Sequence, residues 1–165
     1  MGGYQTELDL AVDSLRKLST YAKDHGVVLS LEPINRYETF LVNNVYQALR
    51  FIEQVGSENL KIHLDTFHMN IDEVSLVDAV HKAGNLLVNM HVSDSNREAP
   101  GRGHIDFSGL MRALNEVSYQ GFLTLEPLPP GSDPLLMSKM SKHDSLRDTY
   151  AQEGIRYLQE LEIKS

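Results

Sequence analysis

The stretch LKIHLD, residues 60–65, alternates aliphatic and polar side chains and ends at Asp65. Because strand side chains point alternately to opposite faces, it predicts a β-strand with one aliphatic and one polar face. Short apolar runs at residues 27–31, 87–92 and 122–125 repeat the pattern. The polar residues that end the four runs are Glu32, Asp65, His91 and Glu126, and those two positions earlier on the same face are Ser30, His63, Asn89 and Thr124.

Amphipathic segments separate these runs. Apolar residues recur at helical spacing in residues 6–25, 44–55, 75–87, 108–119 and 145–162. Strands that alternate with helices of this length predict βαβ units and a parallel sheet. The polar strand ends follow one another at intervals of 33, 26 and 35 residues, close to the roughly 31 residues per unit of an eight-unit barrel. We therefore expect an α/β fold, a parallel (β/α) half-barrel with flanking helices, as a single domain over residues 1–165.

Composition narrows the class of protein. The 165 residues carry 15 Lys and Arg against 23 Asp and Glu, a formal net charge of −8, and no cysteine. An acidic chain without a basic stripe does not suit a nucleic-acid partner. No window approaches the roughly 18 apolar residues of a membrane span. The lack of cysteine excludes a disulfide scaffold and a thiolate metal site. We expect a cytoplasmic protein with neither a nucleic-acid nor a membrane partner.

The four polar strand ends predict a metal site. In such barrels the carboxyl ends of the strands form the mouth where active sites lie. Three carboxylates and one imidazole that converge there repel one another unless a cation compensates them. An oxygen-rich donor set favours Mn²⁺, with Mg²⁺, Co²⁺ or Zn²⁺ as alternatives. His63, one layer below Asp65, is expected to be a hydrogen-bonded interior histidine.

Four segments then carry a family resemblance: SLEPINRYET (30–39), HLDTFHMNIDE (63–73), MHVSDSNREAPGRGHIDF (90–107) and LTLEP (123–127). Together they resemble the sugar isomerase/epimerase family with a xylose-isomerase-like TIM barrel. Within it they are most similar to ketose 3-epimerases of the D-tagatose and D-psicose type. The resemblance implies that the chain corresponds to strands 5–8, the C-terminal half of such a barrel, and that the N-terminal half is absent.

The resemblance also implies roles for individual residues. One divalent metal ion is expected on Glu32, Asp65, His91 and Glu126. The two glutamates of that set are expected to form the catalytic acid/base pair. Contacts with the sugar hydroxyls near the reacting carbons are expected from Glu38, His68 and Arg97, with His68 in the loop after Asp65.

The implied activity is ketose C3 epimerisation through an enediolate on a small-molecule sugar. Inverting a carbon beside a ketone requires an acid/base group on each side of the substrate and stabilisation of the enediolate charge. Two alternatives stay open: another isomerase of the same barrel family, of the inosose or hydroxypyruvate type, and a non-catalytic metal-binding half-barrel.

The related abasic-site endonuclease branch is disfavoured. It needs an Asp-x-His pair beyond the ligand that matches His91, and here His104 and Asp106 stand in the reverse order.

The half-barrel itself predicts association. Four parallel strands leave two open edges, at Val27–Leu31 and Phe122–Leu125, and unpaired backbone groups there invite pairing. We expect a homodimer or a complementing half-barrel as partner.

Overall fold

The structure, a computed structural model, describes residues 2–129 and 144–162. Four strands form one parallel sheet in the order β1-β2-β3-β4, with helices before, between and after them. This is the predicted half-barrel. The strands are β1 (Leu29–Leu31), β2 (Leu60–Asp65), β3 (Leu87–Val92) and β4 (Phe122–Leu125). The helices are α1 (Gly2–Asp24), α2 (Val45–Val55), α3 (Thr66–Asp72), α4 (Leu76–Ala83), α5 (Phe107–Glu116) and α6 (Asp144–Glu162).

One face of the sheet packs against helices, as the alternation of side chains predicts. Leu31 pairs with Ile62 across the first two strands, and Leu64 pairs with Met90 across the next two. Ile62 and Met90 are completely buried. Helices α2 and α5 contribute the large side chains on the other side of this layer. The opposite face of each strand carries the polar residues and points toward the barrel axis.

An irregularity in β3 allows this strand to place Leu87 in the core and Asn89 on the polar face. Ile62 pairs with Leu87 and the next residue of β2, His63, pairs with Asn89, so β3 has one additional residue, Val88, at this point. Leu87 is therefore 6% exposed within the core, while Asn89 aligns with His63 on the axis side.

Three local features differ from the sequence prediction. The seven-residue helix α3 follows β2 directly, so His68 lies on a helix and not in a loop. The helix expected over 75–87 ends at Ala83, where Gly84 adopts a positive φ of 50° and a 3-10 turn over Gly84–Leu86 leads into β3. The helix expected over 108–119 ends at Glu116, because Ser118 takes a left-handed conformation, with φ of 54°.

None of the helices in the two described ranges combines the length and apolar character needed to cross a lipid bilayer. Residues 130–143, a Pro- and Gly-containing part of the sequence before the last helix, lie outside those ranges.

Thr66 connects the start of α3 to the end of β3. Its hydroxyl donates to the carbonyl oxygen of Ser93 at 2.6 Å and accepts from the amide of Ser93 at 3.0 Å. Both residues are fully buried. This contact ties the segment after Asp65 to the segment after His91.

We expect Thr66→Val to lower the free energy of unfolding by about 2–4 kcal/mol, because it leaves two buried backbone groups of Ser93 without partners, each worth about 1–3 kcal/mol. Urea denaturation measures the change. Thr66→Ser is the control, since it keeps the hydroxyl and loses only a methyl group. An equal loss in both variants would contradict this reading.

Candidate metal centre

Residues from all four strands meet at the mouth of the half-barrel. Strands two places apart in a sheet lie about 10 Å from each other. Nevertheless, Glu32 Oε1, at the end of β1, lies 4.0 Å from His91 Nδ1 on β3. From the other side, Glu126 Oε2, just after β4, lies 2.9 Å from the same nitrogen. The two edge strands thus direct their glutamates to one point because the sheet curls around the barrel axis.

The four predicted ligands form overlapping groups of donor atoms. Asp65, His91 and Glu126 offer donor atoms that all lie within 4.8 Å of one another, and so do Glu32, Asp65 and His68. Asp65 has no solvent exposure, and its Oδ1 accepts the amide of Phe67 at 2.9 Å, which caps α3. The structure therefore brings together all four residues that the sequence singled out.

The electrostatics of the cluster show an excess of negative charge. Burial, followed by the neighbouring carboxylate of Asp65, raises the pKa of Glu32 to about 7. Burial, followed by the neighbouring ring of His91, lowers the pKa of His63 to about 4, so His63 is a neutral imidazole at pH 7. A cation between the carboxylates relieves the repulsion that disfavours their ionised forms.

Arg97 supplies one such cation. Its guanidinium lies 2.5 Å from Asp65 Oδ2 and 2.6 Å from Glu126 Oε2, so that it bridges the two carboxylates. It also stacks over the ring of Phe67, 4.8 Å from the centroid. Glu126 Oε2, which pairs with Arg97, is also the oxygen that lies 2.9 Å from His91 Nδ1.

A buried carboxylate shapes the loop that carries Arg97. Asp94 is 1% exposed and accepts the amides of three residues of its own loop, Ser95, Gly101 and Ile105. Its carbonyl oxygen accepts the amide of Arg97, which adopts a left-handed φ of 65°. A Cβ on Gly103 would lie 2.3 Å from Asp94 Oδ1, so this position requires glycine.

Asn35 places two of the predicted substrate contacts. It is 1% exposed, and its side-chain amide donates to Glu38 Oε1 and to His68 Nδ1, both at 2.8 Å. Because that nitrogen of His68 accepts, the ring proton is on Nε2, which faces Asp65 Oδ2 at 3.7 Å.

A cavity of about 460 Å³ lies over the cluster. All three predicted substrate contacts line it together with both glutamates of the predicted acid/base pair. The lining residues are Glu32, Ile34, Glu38, Phe67, His68, Arg97, Glu126 and Leu128.

The pair considered for the endonuclease alternative has other partners. Asp106 caps α5 by accepting the amide of Gly109 at 2.9 Å, and His104 Nδ1 lies 2.9 Å from Ser95 Oγ. Neither contributes to the donor groups found within the described residues.

Comparison with known proteins identifies the fold family. The family model described as the xylose isomerase-like TIM barrel matches residues 2–161. The chain belongs to this family. The prediction from the four sequence segments is thereby confirmed at the level of the family.

Individual members show how much of a barrel the chain represents. It is 43% identical to the D-psicose 3-epimerase of Enterocloster bolteae over 71% of its own length and 39% of that protein. It is 38% identical to the 3-dehydro-D-guloside 4-epimerase of Escherichia coli K12 over 74% of its length and 47% of that protein.

A solved D-psicose 3-epimerase from Clostridium cellulolyticum H10, crystallised with D-tagatose, superimposes with a TM-score of 0.86 at 29% identity. The match covers 98% of this chain and 58% of that one. The chain spans about half the length of the relatives it matches.

The donor set fits a divalent ion. His91 Nδ1 is buried and makes no hydrogen bond, although Glu126 Oε2 is 2.9 Å away. At this separation the nitrogen and the carboxylate oxygen could both ligate one cation. Three carboxylates and one imidazole match the hard or borderline ions of the Mn²⁺ and Mg²⁺ type.

We expect Arg97→Ala to raise the affinity for Mn²⁺ by about thirtyfold. A unit charge about 4 Å from a divalent ion costs about 2 kcal/mol even in water, and 1.4 kcal/mol corresponds to a factor of ten. Isothermal titration calorimetry measures the affinity.

Arg97→Lys keeps the charge and is the matched control for Arg97→Ala, whereas Asp65→Ala removes a ligand and is expected to weaken binding. If Arg97→Ala weakens binding as Asp65→Ala does, Arg97 supports the ion instead of competing with it.

Proposed function

We propose that the chain forms the metal-binding and acid–base part of a divalent-metal-dependent sugar epimerase or isomerase that inverts C3 of a ketose. One observation carries the proposal. Carboxylates from the two edge strands, Glu32 and Glu126, converge on His91 and Asp65 beneath a cavity that Arg97 also lines. Relatives that share the family are named as D-psicose 3-epimerases.

In this proposal Glu32, Asp65, His91 and Glu126 hold one ion, with Mn²⁺ preferred over Mg²⁺, Co²⁺ and Zn²⁺. When bound, such an ion acts as a Lewis acid toward negative charge that develops on substrate oxygens. The nitrogen of His91 that faces Glu126 at 2.9 Å without a well-aligned hydrogen bond, and the excess of carboxylate charge, support this assignment.

The acid/base roles belong to Glu32 and Glu126. They come from opposite edges of the described sheet and approach His91 from opposite directions. A ketose held between them can lose its C3 proton to one carboxylate, which leaves a flat enediolate. The enediolate can then take a proton at C3 from the other glutamate, in its carboxylic acid form, on the opposite face, which inverts the carbon. Positioned acid–base groups of this kind contribute roughly 10²–10⁴-fold to the rate.

Glu38, His68 and Arg97 are proposed to contact the sugar hydroxyls. All three line the cavity, and Asn35 holds the first two in place through one amide group. His68 presents an N–H donor, Glu38 an acceptor and Arg97 a charged fork of donors. This mixture suits a polyhydroxylated substrate.

A second enzymatic candidate is epimerisation or isomerisation at another carbon, including inosose and hydroxypyruvate isomerases. The observation that favours it is the 38% identity to a relative named as a 4-epimerase. The non-catalytic half-barrel is the third candidate, because the chain spans about half of its relatives.

We expect the chain with Mn²⁺ to convert D-fructose to D-psicose in D₂O with deuterium at C3, because the returned proton comes from a carboxyl group that exchanges with solvent. Nuclear magnetic resonance locates the label. Glu32→Gln and Glu126→Gln each keep the shape and are expected to lose about 10²–10⁴ in rate.

Label at C1 or C2 instead of C3, from proton transfer between those two carbons, would select isomerisation within the second enzymatic candidate. Turnover of a 3-keto sugar with label at C4, without turnover of D-fructose, would select its 4-epimerase form. Product without any label would indicate an oxidation–reduction route. Metal binding without any turnover would select the non-catalytic half-barrel.

Association with a second half-barrel is also part of the proposal. The axis-facing ends of the outer strands are uncovered among the described residues, with Val28 56% and Phe122 81% exposed. A second copy, or another half-barrel, would cover them and complete the wall of the cavity. The proposed cytoplasmic location rests on the acidic, cysteine-free composition.

We expect light scattering at micromolar concentration to give about twice the chain mass of 18.6 kDa, since symmetric dimers are the commonest homo-oligomers. Phe122→Asp should return the mass to that of one chain. Val74→Asp is the control, because Val74 is fully exposed between α3 and α4. A monodisperse wild-type monomer with cooperative unfolding contradicts the proposal.

A further inference from the structure

A second cluster of donor atoms lies directly below the mouth of the half-barrel. Glu32, His63 and His91 offer ligand atoms that all lie within 4.8 Å of one another. His63 Nδ1 is 3.9 Å from Glu32 Oε2, and His91 Nδ1 is 4.0 Å from Glu32 Oε1. The two imidazole rings meet edge to face, with centroids 4.0 Å apart and planes at 82°.

His63 is poorly explained as a structural residue. Its side chain is nine-tenths buried, and the hydrogen bond that its Nε2 accepts from the side-chain amide of Asn89 is 3.5 Å long. The other ring nitrogen faces Glu32 beyond hydrogen-bonding distance. A buried imidazole with one weak hydrogen bond, set edge to face against a second imidazole, leaves ring nitrogens without well-aligned hydrogen bonds, which is costly unless something is shared between them.

We propose that Glu32, His63 and His91 form a second, deeper metal position that binds late transition ions such as Zn²⁺ and Cu²⁺ through two imidazoles and one carboxylate. It deepens the metal site of the proposed function and rests on Glu32 and His91 being available as donors there. Because the two positions share both residues, an ion in one displaces an ion from the other.

The chemistry of the donors separates the two positions. The upper set has three carboxylates and one imidazole, a combination suited to Mn²⁺ and Mg²⁺. The deeper set has two imidazoles, which suit Zn²⁺, Cu²⁺ and Ni²⁺. The two positions in this cleft therefore prefer different ions. A late transition ion in the deeper position takes Glu32 as a ligand, which moves it away from Asp65 and Glu126.

The movement that the deeper position requires is small. Bonds of about 2.0–2.1 Å from a tetrahedral ion place its ligand atoms about 3.3 Å from one another. The present separations of up to 4.8 Å close by rotation of the two histidines and Glu32 about their side-chain bonds.

Electron paramagnetic resonance of the whole chain loaded with one equivalent of Cu²⁺ counts the nitrogen ligands. We expect coupling to two nitrogens in the wild type and to one in His63→Gln. His68→Gln is the matched control: it removes the other histidine near Asp65, whose Nδ1 is held by Asn35, and should leave two nitrogens.

Calorimetry with Zn²⁺ and Mn²⁺ gives the second readout. We expect His63→Gln to weaken Zn²⁺ binding by about tenfold or more, because even the loss of a residue that only supports a ligand costs about 10–100-fold in metal affinity. We expect the same change to alter Mn²⁺ binding by less than about threefold. His81→Gln, which removes an imidazole paired with Glu116 on the surface, should change neither.

A wild-type Cu²⁺ spectrum with one nitrogen, or equal Zn²⁺ affinity in wild type and His63→Gln, overturns the deeper position. Asp65→Ala keeps the test valid if His63→Gln does not fold, because it should weaken Mn²⁺ binding and retain the two-nitrogen Cu²⁺ spectrum. Loss of that spectrum in folded Asp65→Ala also overturns the proposal. Unchanged Mn²⁺ affinity in Asp65→Ala would instead count against the upper set and thus against the proposed function.

Discussion

The side-chain carboxylate of Asp65 has no solvent exposure, so its oxygens require hydrogen-bond donors or positive charge from the surrounding structure. A buried anion is tolerated only where donors or positive charge replace the lost water. One oxygen accepts a hydrogen bond from the amide of Phe67 in the first turn of α3, and the other accepts one from the guanidinium of Arg97. Each of these partners is held in turn, α3 through the contact of Thr66 with Ser93 and Arg97 through the loop around Asp94. The loops after two strands are thus organised around one charge.

The same constraint explains why the axis-facing side of the sheet is polar. A barrel interior that serves only stability is filled with branched aliphatic residues. Here the buried aliphatic residues of the strands lie in the helix-facing layer, where Ile62 and Met90 are fully buried. The inner layer carries mainly polar, charged and imidazole groups, and its stability depends on cations and hydrogen-bond donors that compensate them.

Sequence periodicity was sufficient for the strands and for the convergence of the four polar strand ends, because the alternation of faces and the parallel order determine both. It could not predict α3, since a short helix with mixed residues has too few turns to show a period. It also could not show that Arg97 bridges Asp65 and Glu126, because this depends on a left-handed backbone at Arg97 and on the fold of a loop around Asp94. Asn35 was missed for a similar reason: its partner His68 is 33 positions away in the chain.

The additional residue in β3, Val88, determines on which face of the strand the predicted ligand His91 lies. In a strand of strict alternation, Leu87 and His91 would lie on the same face. Leu87 could then not be in the helix-facing core while His91 faces the barrel axis. The irregularity at Val88 allows Leu87 to remain in the core while Asn89 and His91 face the axis. A deletion of one residue here would therefore turn either Leu87 out of the core or His91 away from the axis, and so could remove a ligand without substituting it. Among related barrels, gaps in an alignment at this strand deserve the same scrutiny as changes to the histidine itself.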